Sequence, residues 1–139
     1  MSKTKRILIL IVVLLVATLL NACTAGKAPK RQADITFASI TDSTREGDVL
    51  ILYLETNFKA ARKFGVPIEK SKYTKAMVRI DKSTKIFAAT GLGNSRASSG
   101  EILKSKESNK HGGGFLDVWF RGPVRQSDPV QATADTIFF

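Results

Sequence analysis

The chain has 139 residues, and its 22 lysines and arginines outnumber its 12 aspartates and glutamates to give a net charge of +10. It has a single cysteine and a single histidine, which excludes internal disulfides and metal sites built from several such ligands. Its length allows one domain with a hydrophobic core, and its positive charge favours an anionic partner surface.

The first 22 residues have the layout of a signal peptide. The first six residues contain three basic side chains, Lys3, Lys5 and Arg6. Residues 7–20 follow as an almost uninterrupted apolar run. A run of this length is typical of a signal-peptide core, whereas a membrane-spanning helix needs about 20 apolar residues. The sequence therefore predicts an exported protein. An uncleaved membrane helix and a plain secretory signal are the alternatives.

The apolar run ends in Leu20-Asn21-Ala22-Cys23, which contains the single cysteine. This tetrapeptide resembles the lipobox of bacterial lipoproteins. The resemblance covers only the first 23 residues, and it implies cleavage between Ala22 and Cys23, a lipid on the Cys23 sulfur and membrane attachment through that lipid. In this family an aspartate after the cysteine favours the inner membrane, and here the residue is Thr24. We therefore expect the periplasmic face of the outer membrane, with the outer leaflet of the inner membrane or a Gram-positive surface as alternatives.

Cleavage would leave residues 23–139 with a net charge of +7, because it removes three basic residues and no acidic one. Residues 23–33 are small, polar and basic, and they predict a lipidated cysteine followed by a flexible tether. Residues 34–139 are predicted to form a single β-rich domain. Its location outside the cytoplasm argues against nucleic acid, so we expect an envelope protein or an anionic cell-wall or lipid surface as partner.

Apolar patterns in the domain predict seven strands, at residues 35–40, 48–56, 74–81, 85–90, 101–107, 115–121 and 130–139. The third and fourth are predicted to form a hairpin, and the fifth is predicted to be a polar edge strand. Residues 91–100 and 108–114 are predicted loops. The expected fold is mainly β, a small antiparallel β-sandwich, immunoglobulin-like or transthyretin-like, with one short helix. An α+β sheet or a small open barrel is the alternative.

The short helix is predicted at residues 57–65, where Asn57 can cap its start and Gly65 can end it. Phe58, Ala61 and Phe64 share one helical face, and the rest of the surface is basic: Lys59, Arg62 and Lys63. One interpretation is a basic amphipathic turn that faces an anionic surface. The other is a crossover helix that packs its phenylalanines on the sheet.

The strand at 115–121 supplies a second candidate partner surface. We expect Leu116, Val118 and Phe120 to face the core. The opposite side then carries Phe115, Trp119 and Arg121, and exposed aromatic and arginine side chains are typical of protein interfaces. If this side is covered, Trp119 belongs to the core instead.

No residue pattern predicts catalysis. The histidine and the serines have no nucleophile-elbow setting, and the carboxylates are scattered without a spacing signature. We therefore expect a non-catalytic binding or assembly module of an envelope complex, with no cofactor and no metal. The alternative is an anchored inhibitor or exclusion factor that acts against a lysozyme-like enzyme, a phage or conjugation.

Overall fold

The computed structural model describes residues 27–68, 71–90, 93–109 and 114–139, together with positions 3, 9 and 11. In chain order the elements are β1 (Ile35–Glu46), β2 (Val49–Thr56), α1 (Phe58–Lys63), β3 (Lys75–Ile80), β4 (Lys85–Thr90), β5 (Gly93–Arg96), α2 (Ser99–Asn109), β6 (Leu116–Arg125) and β7 (Val130–Phe138). The predicted small, mainly β domain is confirmed. Among the described residues, no helix has the length and apolar character needed to cross a membrane.

Five of the strands close into a barrel. β1, β2 and β3 form an antiparallel meander, and β1 also pairs antiparallel with β6. β6 pairs antiparallel with β7, which closes the ring by pairing in parallel with β3. The sheet is therefore mixed, and of the arrangements that the sequence left open it corresponds to the small barrel. A five-stranded barrel is the architecture of the OB-fold, which does not by itself indicate a function.

The barrel interior is filled by alternate residues of its strands. Leu52, Val78, Leu116, Val118 and Ile137 are among the side chains that are completely buried. Each such side chain contributes about 1.5–3 kcal/mol relative to an exposed one. The predicted inward face of the strand at 115–121 is confirmed, because Phe120 is buried together with Leu116 and Val118.

The predicted hairpin between residues 74–81 and 85–90 is wrong. β3 and β4 run in the same direction, and both pair in parallel with β7: residues 76–79 with 130–133, and residues 85–87 with 136–138. The turn between them displaces the chain without reversing it. Thr84 is buried in this turn, and its hydroxyl donates to the carbonyl of Ala134 at 2.8 Å. An alternating pattern shows which face of a strand is buried but not which strand it pairs with, so the sequence could not exclude a hairpin.

The predicted edge strand at 101–107 is also wrong, because these residues belong to α2. The Ser98 amide donates to the Glu101 carboxylate at 2.6 Å, and the Glu101 amide donates back to the Ser98 hydroxyl at 3.3 Å. This reciprocal pair is a capping box, which favours a helix start. Ile102 and Ser105 are buried and lie three residues apart, on one helical face, and α2 packs against β1. Within the predicted loop at 91–100, residues 93–96 form the short strand β5, which pairs with β4.

Candidate binding surface

Helix α1 connects β2 to β3 and presents two phenylalanines to solvent. Its start is the predicted one, since the Asn57 side chain accepts a hydrogen bond from the Ala60 amide at 2.9 Å. Of the helical residues only Ala61 is buried, whereas Phe58 is 43% exposed and Phe64 is 51% exposed. About half of each phenylalanine is in contact with solvent, which favours the interpretation of α1 as an exposed amphipathic turn over that of a helix with both rings packed on the sheet.

Two further phenylalanines extend this surface. The ring of Phe37, from β1, stacks on the ring of Phe115 with their centroids 4.2 Å apart, and it meets the ring of Phe64 edge-on at 6.4 Å. Phe58 is exposed at the start of the same helix as Phe64. We call Phe37, Phe64 and Phe115, together with Phe58, the phenylalanine patch. The structure thus brings Phe115 together with the helix residues, which the sequence placed in two separate candidate surfaces. Phe37, which joins them, was not among the sequence candidates.

The backbone of Phe37 has an unusual conformation. Its φ of +52° lies in the left-handed region, which costs a residue with a side chain about 1–2 kcal/mol. It sits in an irregularity of the β1–β6 pairing, where β1 has one more residue than β6 between two paired positions. Such bulges redirect side chains and are enriched next to functional sites, as are strained residues. The bulge is therefore what turns the Phe37 ring toward Phe115 and Phe64.

Two hydrogen bonds hold Phe37 in this conformation. Its amide donates to the carboxylate of Asp117 at 2.9 Å, and its carbonyl accepts from the Asn57 amide at 3.0 Å. Burial raises the pKa of Asp117 above its ordinary value, while the hydrogen bond from Phe37 acts in the opposite direction. Asp117 thus stabilises the backbone conformation that places the Phe37 ring in the patch. In the sequence, Asp117 is one of several scattered carboxylates, with no pattern that marks it.

Three cations lie on the same helix as Phe58 and Phe64. Lys59, Arg62 and Lys63 are exposed on α1, and we call them the basic rim. The ammonium of Lys63 lies 5.8 Å from the centroid of the Phe64 ring, which is within range of a cation–π interaction. In the described part of the chain none of the three takes part in an ion pair, and residues 57–66 contain no acidic residue. The surface is therefore apolar at its centre and positive at its edge.

Trp119 does not belong to this surface. It is only 6% exposed, and its indole N–H donates to the carbonyl of Arg31 at 2.7 Å. Its ring packs edge-on against Phe138. The alternative in which Trp119 is a buried residue is therefore confirmed. The segment that precedes β1 covers its side of the sheet.

Arg31, which the sequence placed in the tether, is bound to the barrel. Its guanidinium donates to the carbonyl of Phe120 at 2.7 Å and to the carboxylate of Asp34 at 2.8 Å. Ala33, in the same segment, is buried. From Arg31 onward the chain therefore follows β6. Ala22 and Cys23, the predicted cleavage and lipidation residues, lie outside the described residues.

Arg121 forms an ion pair outside the phenylalanine patch. Its guanidinium pairs with the carboxylate of Asp81 at 2.5 Å, and both side chains are about one third exposed. The hydrogen bond from Arg121 is the main reason that the pKa of Asp81 lies below its ordinary value. Arg121 thus ties β6 to the turn between β3 and β4, and it is not part of the phenylalanine patch.

The described residues offer little that is suited to metal or acid–base chemistry. They contain no group of three histidine, cysteine, aspartate or glutamate side chains that could hold a metal ion. A cavity of about 310 Å³ lies between β1, β2, β3 and the loop before β7, and its Glu55 and Lys75 pair with each other at 3.9 Å. Comparisons with protein-family models, curated proteins and solved structures give no match for this chain.

Proposed function

We propose that this chain is a lipid-anchored envelope protein that acts as a non-catalytic binding or assembly module, and that the phenylalanine patch is its partner-binding surface. The anchor follows from the lipobox resemblance at Leu20-Asn21-Ala22-Cys23 and would hold the domain on the periplasmic face of the outer membrane. Stable attachment through acyl chains leaves the barrel free to bind a second component.

The observation that carries the proposal is the exposure of Phe58 and Phe64 beside three cations. Buried, well-packed aromatic residues supply most of the binding energy in protein interfaces, and a charged rim adds specificity and speeds association. Two phenylalanines in contact with solvent do not add to the folding stability of the isolated barrel. A partner that covered them would recover the free energy of burying both rings.

The chemistry of the surface indicates what the partner is. The basic rim requires acidic residues around an apolar segment, so the partner is an envelope protein with an apolar stretch flanked by aspartate or glutamate. Insertion into a membrane needs only protruding apolar side chains. The patch instead fixes Phe37 and Phe115 in a stack at the expense of backbone strain, and a surface of fixed shape suits a partner of fixed shape.

The test uses the full chain, tagged at its carboxyl terminus and solubilised from membranes. We expect co-purification of one envelope protein, lost in the double variant Phe58→Ser/Phe64→Ser and in the charge reversal Lys59→Glu/Arg62→Glu. The matched control is Lys104→Ala, which removes an exposed lysine of α2 that is not part of the patch or of the basic rim.

Three outcomes would count against this proposal. Equal recovery of the partner by the serine variant would exclude the patch as the binding surface. Tight binding of the same surface to protein-free vesicles would identify the membrane as its ligand. Recovery of a lysozyme-like enzyme, or of a phage or conjugation receptor, would favour the inhibitor or exclusion role over an assembly role.

A further inference from the structure

A cavity of about 450 Å³ lies on the outside of the barrel, and none of its lining residues belongs to the phenylalanine patch. It forms where the beginning of the described chain, at Lys27 and Pro29, lies against β4, β5 and β7. The charged side chains that line it are Lys27, Lys85, Arg96 and Asp135. We call this cavity the anion pocket.

The anion pocket has an excess of positive charge. Three of its side chains are cations and one is a carboxylate, and in the described part of the chain none of the three cations takes part in an ion pair. The carboxylate of Asp135 accepts a hydrogen bond from the Thr136 hydroxyl at 2.9 Å. Cations that share a small volume repel one another, so an anion bound among them is favoured.

The arrangement of the pocket is fixed by the sheet. Phe87 and Arg96 are direct partners across β4 and β5, and the guanidinium of Arg96 lies 5.4 Å from the centroid of the Phe87 ring. Phe87 is itself buried and packs against Phe138. The Arg96 charge is therefore held over a rigid ring instead of moving freely in solvent, which reduces the entropy lost when it binds a ligand.

The position of the pocket along the chain indicates the source of the anion. Lys27 is only four residues after Cys23, and four residues span at most about 14 Å. The headgroup region on each side of a bilayer is about 5–8 Å thick. A lipid on Cys23 would therefore keep Lys27, and the pocket that it lines, within reach of the headgroups. This step rests on the lipid anchor of the proposed function.

We propose that the anion pocket binds the phosphate of an anionic phospholipid headgroup in the membrane to which the chain is anchored. Lys27, Lys85 and Arg96 supply the positive charge, and Arg96 can form paired hydrogen bonds to phosphate oxygens. Binding at this pocket fixes how the barrel sits on the membrane. No residue of the pocket belongs to the phenylalanine patch, so the patch stays available to a partner.

The test is chemical footprinting of the lipidated chain, purified from membranes and reconstituted into phosphatidylcholine vesicles with or without phosphatidylglycerol. An amine-reactive reagent modifies exposed lysines, and mass spectrometry gives the rate at each. We expect phosphatidylglycerol to slow modification of Lys85 about fivefold or more, as for a side chain that gains about 1 kcal/mol at an anionic surface. The rate at Lys104 is the internal control.

Matched variants identify the pocket as the cause. Arg96→Ala is expected to remove the protection of Lys85, whereas Arg125→Ala, which removes an exposed arginine of β6, is expected to retain it. Lys27→Ala lies before the first strand of the barrel, so it provides a second pocket variant that leaves the sheet unchanged. The intact mass of each sample shows separately whether Cys23 carries lipid, which distinguishes failure of the anchor from failure of the pocket.

Four results would overturn the proposal. Equal slowing at Lys85 and Lys104 would indicate diffuse attraction to a charged membrane. The same protection by inorganic phosphate in phosphatidylcholine vesicles would identify free phosphate, not lipid, as the ligand. Protection confined to Lys59 and Lys63 would place the phenylalanine patch on the membrane. No protection of Lys85 in lipidated chain would exclude the pocket altogether.

Discussion

The backbone amide of Phe37 donates a hydrogen bond to the carboxylate of Asp117, 2.9 Å away, across the bulge between β1 and β6. This bond joins a strained residue in the left-handed region to a carboxylate whose pKa is raised by burial. Both features cost stability in the isolated barrel. Together they hold the ring that links Phe115 to Phe64, so the phenylalanine patch depends on them.

Removal of the Asp117 carboxylate is expected to destabilise the barrel. Asp117→Ala leaves the Phe37 amide without its acceptor, which costs about 1 kcal/mol, the low end of the range for a buried donor, because this bond is only partly buried. Asp117→Asn is the matched control, because its side-chain oxygen can still accept the bond. Chemical denaturation of both variants measures the difference. Equal losses of unfolding free energy in the two variants would show that the bond to Phe37 does not matter.

The raised pKa of Asp117 gives the barrel a defined pH dependence. A carboxyl group whose pKa is higher in the folded state stabilises the fold below its unfolded pKa of 3.8, and that contribution is lost as the pH rises through the folded value. Asp117→Asn does not titrate. The unfolding free energy of this variant, relative to the natural chain, should therefore increase with pH across this window in a denaturation series. A relative stability that falls with pH would contradict the assigned shift.

Glycine at position 37 is expected to be more stable than alanine there. Both substitutions remove the phenyl ring, but glycine adopts φ +52° without the steric penalty that alanine retains. Thermal or chemical denaturation should place Phe37→Gly above Phe37→Ala by about 1 kcal/mol. Both variants should bind the partner less tightly, because both lose the link between Phe115 and Phe64. A glycine variant that is less stable than the alanine variant would mean that the strand has no left-handed residue here.

The buried hydroxyl of Thr84 is expected to be essential for the turn between β3 and β4. Thr84→Val keeps the shape of the side chain but leaves the carbonyl of the buried Ala134 without its donor, at a cost of about 1–3 kcal/mol. Thr84→Ser keeps the hydroxyl, so its free energy of unfolding should fall clearly less than that of the valine variant. Denaturant titrations compare the two. If the valine and serine variants have equal free energies of unfolding, the hydrogen bond between Thr84 and Ala134 does not stabilise the turn.

Features that depend on a few neighbouring residues could be predicted from the sequence. The Asn57 cap and the inward face formed by Leu116, Val118 and Phe120 are of this kind. The start of α2 is local too, since Ser98 and Glu101 form a capping box, but its polar, lysine-rich surface is equally typical of an edge strand.

Features that depend on distant pairing could not be predicted. The left-handed conformation of Phe37 depends on the register shift between β1 and β6, a strand that lies more than 75 residues later in the chain. The burial of Trp119 depends on the segment at Arg31, and the parallel pairing of β3 and β4 depends on β7. None of these relationships leaves a periodic pattern in the sequence.

Photo-crosslinking in living cells tests the central claim, that the phenylalanine patch binds an envelope protein, most directly. A photoreactive phenylalanine analogue in place of Phe64 in the full chain should give one major protein adduct, and Lys59→Glu/Arg62→Glu should abolish it. The same analogue in place of Lys104 on α2 should give none. Identical adducts from both positions, or adducts to lipid alone at position 64, would contradict the claim.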